Sequence, residues 1–158
     1  MSGQGFVIRA GEGPSFSWPG EVFTGKLSAR RTGDRIAIGE VLFSPRHGTS
    51  KHRHMESGEV FYIALGSIVI EIEDEEFTLR AGDLAYAPPG AAHRLTNESE
   101  EETRLLGIFV PAGPEKAMGA WAELMARTGG NPDPDELEAV RAMGLAIEVE
   151  APRLQADA

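Results

Sequence analysis

The sequence predicts an all-β barrel or sandwich over most of its length, closed by two C-terminal helices, and three observations carry that expectation. From Phe6 to Val110, short runs rich in β-branched and aromatic residues are broken by Gly, Pro and Asp, the punctuation of many short strands. Ile68, Ile70 and Ile72 alternate with Val69, Glu71 and Glu73, a period of two that turns the isoleucines to a single face, expected to point into the barrel. After Pro111 the composition shifts to Ala, Met, Leu and Glu, which favour helix.

Taken in order, the candidate strands are Phe6 to Arg9, Val22 to Ala29, Arg35 to Phe43 and Glu59 to Leu65. They continue as Ser67 to Glu73, Glu76 to Arg80, Asp83 to Ala87, His93 to Asn97 and Thr103 to Val110, with a chain reversal at Asp74-Glu75. Pro114 suits a first helical turn and Gly129-Gly130 a stop. A second helix begins with Asp133 as N-cap, Pro134 next and Glu136 at the third helical position, a capping-box variant, and ends near Gly144. Met118, Trp121 and Met125 share one face of the first helix and are expected to pack on the barrel or on a second subunit. The barrel with its N-terminal strand segment thus takes residues 1–112. The helical extension, 113–158, packs on it within the same domain, and Gln155 to Ala158 are expected to be disordered.

The 158 residues suit one compact core. With no cysteine, disulfides, thiolate ligands and thiol nucleophiles are excluded. Met1 to Ala10 lacks the basic start and apolar run of a secretion signal, and no apolar stretch approaches the roughly 20 residues of a membrane span, so the expected location is cytoplasmic. Asp plus Glu outnumber Lys plus Arg by 25 to 15, a formal charge of −10 that repels polyphosphates and anionic membranes. Neither nucleic acid nor membrane is an expected partner. The acidic stretches at Glu73 to Glu76 and Glu98 to Glu102 read as solvated turns.

Chemistry concentrates in two segments that hold three of the four histidines. His52 and His54, two apart, project from one face of a strand. Glu59 follows at a spacing of five, which a straight strand would turn to the other face; a bend over Met55 to Gly58 is needed to bring its carboxylate back. In the second segment Pro88-Pro89-Gly90 makes a turn and His93 heads the next strand, with Asn97 four residues on. Three imidazoles and one carboxylate on a rigid wall suit a borderline divalent ion, Fe, Mn, Co, Ni, Cu or Zn, whereas calcium wants more oxygen ligands. His47 precedes the first segment and reads as a surface or loop residue. Phe43, Phe61, Leu84 and Tyr86 are candidate pocket walls.

These two segments resemble the paired motifs of the cupin superfamily. His52, His54, Glu59 and Gly66 meet the first motif, and Gly82, Pro88, Gly90, His93 and Asn97 the second, with the 15 residues Ser67 to Ala81 between them. Arg46 departs from the pattern, since the family usually has Gly there, and this puts the shape of the loop in question but not the ligands. The stretches Arg9 to Gly13, Thr24 to Lys26, Val110 to Gly113 and Met143 to Leu145 are similar to single-domain cupins of the quercetin-dioxygenase-like group.

The resemblance implies a double-stranded β-helix, or jelly-roll barrel, with one metal ion on His52, His54, Glu59 and His93. It implies a dioxygenase acting on a hydroxylated aromatic or enolisable small molecule. Glu59 would also be catalytic, taking the substrate hydroxyl proton with a pKa raised toward neutrality by the apolar barrel. Two other readings fit the same residues: a redox-silent cyclase, isomerase or decarboxylase of secondary metabolism, and a non-enzymatic small-ligand-binding cupin. Many cupins pair through an edge strand and the N-terminal segment, so a homodimer is expected.

Overall fold

The computed structural model describes residues 5–143 and 146–154; the helix end expected at Gly144 and the tail Gln155 to Ala158 lie outside the described residues. Its strands form two antiparallel sheets facing each other. The first contains β1 (Ser15–Trp18), β2 (Glu21–Leu27), β3 (Ala37–Phe43), β6 (Gly58–Leu65), β9 (Leu84–Ala87) and β11 (Thr103–Val110), in the spatial order β1-β2-β3-β11-β6-β9. The second contains β5 (Lys51–Arg53), β7 (Ser67–Ile72), β8 (Glu75–Arg80), β10 (His93–Asn97) and β12 (Ile147–Glu150), in the order β12-β5-β10-β7-β8, with the two-residue β4 (His47–Gly48) beside β10. After β3 the chain crosses repeatedly between the sheets, at β5 to β6, β6 to β7, β8 to β9, β9 to β10 and β10 to β11, as a jelly-roll barrel requires.

The core lies where the inner faces meet. Phe43, Phe61, Ile63, Ile68, Ile70, Leu95 and Leu105 are almost wholly buried there. Ile68 and Ile70 point inward as the alternation predicts, and the chain reverses one residue earlier than expected, so that Ile72 pairs with Glu75. No strand forms over Phe6 to Arg9; the sheet instead begins at Ser15, whose alternation with Phe16 and Trp18 pairs it to β2. Ala29, expected to end a strand, starts the short helix α1 (Ala29–Thr32), stopped by Gly33 in the left-handed conformation.

Helix α2 (Pro114–Thr128) has Pro at its first turn and a left-handed Gly129 after its last. Its apolar face lies on the barrel: Trp121 stacks on Trp18 with ring centroids 6.0 Å apart, and Met118 packs against the Phe23–Ala37–Phe109 cluster. Helix α3 (Pro134–Arg141) is capped by Asp133, whose Oδ1 accepts from the Asp135 N–H at 2.9 Å. Glu136 does not complete the capping box and instead accepts from Arg127 at 2.8 Å. Beyond α3 the extension is not helical, because β12 returns to the barrel and pairs with β5.

Candidate metal centre

His52 sits on β5 and His54 just after it, both turned inward while Arg53 between them is not. His93 opens β10, directly across from His52 in the pairing register. Glu59 comes from the opposite sheet. The bend at Met55 to Ser57 carries the chain from β5 in one sheet to β6 in the other, so the odd spacing of five is a crossing between walls. One potential ligand atom from each of the four residues lies within 4.8 Å of every other.

Hydrogen bonds fix which imidazole nitrogens face the centre. His52 Nδ1 donates to the Ser50 carbonyl at 2.8 Å and His93 Nδ1 to the Ala91 carbonyl at 3.0 Å, which turns both Nε2 atoms toward the centre. His93 Nε2 lies 3.2 Å from Glu59 Oε2 and His54 Nε2 3.4 Å from the same oxygen. Both nitrogens of His54 are buried without a hydrogen-bond partner, so the His54–Glu59 approach is an electrostatic contact without hydrogen-bond alignment. Gly107 on β11 leaves room for the carboxylate: a Cβ there would come within 3.2 Å of Glu59 Oε1.

Charge follows from this crowding. Burial lowers the His52 pKa to about 3, helped by the neighbouring His93 and His54. Burial also acts against ionisation of Glu59 and of His93, but their mutual attraction wins in both. The imidazoles of His54 and His93 hold the Glu59 carboxyl down at about 2, and Glu59 raises His93. The carboxyl expected to be raised toward neutrality is therefore ionised. A buried carboxylate facing several nitrogen lone pairs, with one imidazole lacking any protein partner, fits a divalent cation at their centre.

Two spaces adjoin the group. An interior cavity of about 90 Å³ reaches His52 and Glu59 and is walled mainly by apolar side chains, among them Trp18, Phe43, Phe61 and Met118. A groove of about 310 Å³ reaches His54 and is bordered by Ser57, Pro111, Arg141 and Ile147. Phe43 and Phe61 are pocket walls as expected. Leu84 and Tyr86 are not: they are 60% and 52% exposed, because on β9 it is Ala85 and Ala87 that face the core.

Residues 39–109 match the family model for the cupin domain, and both motifs lie inside that span at the place where the two sheets bring four candidate ligands together. These residues form a cupin domain. Among curated proteins this chain is 29% identical over 82 residues to the polyketide synthase protein CurC of Streptomyces cyaneus, covering 52% of this chain and 53% of that one. It is 30% identical over 103 residues to quercetin 2,3-dioxygenase of Bacillus subtilis, covering 64% of this chain and 30% of the relative. The chain thus spans about half, or less, of the length of these two relatives. KdgF from Halomonas shares the fold with a TM-score of 0.64 at 19% identity, over 72% of this chain and 99% of that structure.

Other motif positions have structural work. Asn97 is fully buried and pins two loops: its Nδ2 donates to the Ser44 and Glu101 carbonyls at 3.0 and 2.7 Å, and its Oδ1 accepts from Ser99. Arg46, standing where cupins usually have Gly, keeps a left-handed φ of 54° and donates to Glu100 Oε1 from Nε at 2.9 Å. The loop shape survives the substitution. His47 departs from expectation: it is 8% exposed, and its Nε2 lies 3.0 Å from Glu21 Oε1. Glu21 had no spacing signal to mark it. The clue was its place two residues before Phe23, on the inward side of a strand.

Proposed function

We propose that this cupin is a metal-dependent enzyme, a dioxygenase acting on a hydroxylated aromatic or enolisable small molecule. The observation that carries the reading is the convergence of three imidazoles and an ionised carboxylate between an apolar cavity and an open groove. His52, His54, Glu59 and His93 would hold one divalent transition ion. Bound there, such an ion supplies Lewis-acid polarisation and, if redox-active, access to dioxygen chemistry.

The chain's own residues supply the rest. The backbone carbonyls of Ser50 and Ala91 lock the His52 and His93 rings so that their Nε2 atoms stay aimed at the centre. Glu59, ionised and bordering the cavity, accepts a hydrogen bond from a substrate hydroxyl. The apolar walls keep bulk water from the reacting atoms. At about 90 Å³ the cavity is smaller than the ~150 Å³ that takes one benzene ring, so a multi-ring substrate would leave most of its body in the groove beside His54. In this reading the enzyme is cytosolic and dimeric, with β8 and β9 ending their sheets and Phe77, Leu84 and Tyr86 exposed along them. No helix among the described residues is long and apolar enough to cross a membrane.

A redox-silent cyclase is the second reading, favoured by the similarity to CurC, a polyketide synthase protein. Metal content measured by mass spectrometry, beside a His52→Ala/His54→Ala variant, together with oxygen uptake on a flavonol and catechol panel, separates the two. Near-stoichiometric Fe, Mn, Co, Ni or Cu that the variant loses, with oxygen uptake, supports the dioxygenase. Metal without uptake supports the cyclase, and wild-type protein without metal overturns both.

A further inference from the structure

The interior cavity has a second polar group, set apart from the metal centre by chain position and by partner. Glu21 opens β2 two residues before Phe23, and Phe23 is a buried core side chain, so the pleat turns Glu21 inward as well. It lines the same cavity as His52 and Glu59. A carboxylate at an inward strand position is costly unless something compensates it. The compensation is His47, whose Nε2 lies 3.0 Å from Glu21 Oε1, the two side chains being only 10% and 21% exposed.

Backbone and packing hold this pair in one arrangement. Gly20, immediately before Glu21, has φ 79°, and a Cβ there would overlap the His47 ring, so the ring rests on bare backbone. His47 Nδ1 is buried without a hydrogen-bond partner, so the tautomer with its proton on Nε2 is the one that uses the ring, donating to Glu21. Glu21 Oε2 takes no hydrogen bond from the protein among the described residues, which leaves an acceptor on the cavity wall. Thr49, also on that wall, accepts from the Leu95 N–H at 3.1 Å and keeps its hydroxyl hydrogen for another partner.

We propose that Glu21, positioned by His47, is a substrate-binding residue that accepts a hydrogen bond from a hydroxyl on the part of the substrate seated in the cavity. The proposal rests on the enzymatic reading above and narrows its substrate class. Glu59 serves the metal ion, so Glu21 is the carboxylate left to meet a ligand in this cavity, with apolar walls around it. That combination favours a hydroxylated ring or fragment over an apolar one of the same size, because only the hydroxyl can donate to Glu21. Met118, unbranched and flexible, is the wall residue best able to yield to a ring.

The test is calorimetric binding of catechol and of benzene to the protein with its metal, in wild type, Glu21→Gln, His47→Leu and His47→Gln, with metal content and the unfolding midpoint measured for each. Expected results are catechol bound at least tenfold more tightly than benzene by wild type, and that preference reduced about tenfold or more in Glu21→Gln at unchanged metal content. His47→Leu should lose catechol affinity, and His47→Gln, whose amide can donate as Nε2 does, should recover it. Benzene bound as tightly as catechol by wild type, neither probe bound, or Glu21→Gln indistinguishable from wild type would each overturn the proposal. Failure of the enzymatic reading shows separately, as absent metal or absent turnover. Should Glu21→Gln unfold, the contrast between the two His47 variants decides alone.

Discussion

Residues 51 and 52, 71 and 72, and 93 and 94 are chain neighbours, yet each pair is split between opposite faces of one sheet. On the inner face stand His52 and His93, with His54 beside them; both nitrogens of His54 are unpaired, and the Nε2 of His93 meets only Glu59, itself a candidate ligand. On the outer face Glu71 accepts from Lys51 Nζ at 2.8 Å, Arg94 Nε at 2.7 Å and Arg153 Nη2 at 2.6 Å. Arg94 also meets Glu150 of β12 at 3.2 Å, and Arg153 also meets Glu76. Both faces bury polar groups. The outer one satisfies them from within the chain and so serves stability, whereas the inner one leaves them for something that is not protein.

The sharpest way to break this comparison is to remove one group from each face and measure stability with the metal stripped. Glu71→Ala takes the shared carboxylate from two buried cations, leaving Lys51 the Glu73 carbonyl and Arg94 the half-exposed Glu150, and should cost roughly 3 kcal/mol in urea unfolding, the lower end of the range for a broken buried pair because those partners remain. His54→Leu removes a ring that makes no protein hydrogen bond and replaces it with an apolar group beside Phe109. It should change stability by less than about 1 kcal/mol. Metal content should show the reverse order, abolished in His54→Leu and retained in Glu71→Ala. Equal stability losses on the two faces would mean that the inner group is structural.

A smaller effect is expected in acid. Burial alone would raise the Glu71 carboxyl, but Lys51 and Arg94, then Arg153, outweigh it and hold the pKa at about 2, below its ordinary 4.5. A carboxyl depressed on folding stabilises fully above its unfolded pKa, and the contribution is lost as pH falls through the folded one. Wild-type stability should therefore decline between about pH 4.5 and 2 more steeply than that of Glu71→Gln, measured as urea midpoints across that window. Parallel profiles would remove Glu71 from the account.

The inner face was the more legible of the two in the sequence. His52, His54 and His93 announce themselves because histidine is scarce here and the intervals are local. The isoleucine alternation of β7 likewise shows which side is core. What the sequence hides is pairing at long separation. Glu59 joins the histidines by crossing to the other sheet, and His47 meets Glu21 across 26 residues, so neither leaves a local period. Glu71 is buried under Lys51, Arg94 and Arg153, the last 82 positions later, a convergence with no local period. Ile147 to Glu150 lies in the stretch expected to be a helical extension, and the free edge of β5 makes it a strand.

That late segment supplies the finest test of the outer face. β12 pairs with β5 through Ile147–Arg53 and Glu148–His52, so it lies along the backbone that carries a candidate ligand. Its own side chains are largely exposed, Ile147 by 52% and Val149 by 45%, so burial contributes little to its docking. Arg153 and Glu150 tie it to Glu71 and Arg94. Since Arg153 is 43% exposed, Arg153→Ala should lower global stability by no more than about 1 kcal/mol. The same loss concentrated on β12 should speed amide exchange at Ile147 to Glu150 about fivefold while β7 and β10 are unaffected. Exchange unchanged at β12 would show that the strand pairing holds the segment without the ion network, and that the outer face stabilises the sheet alone.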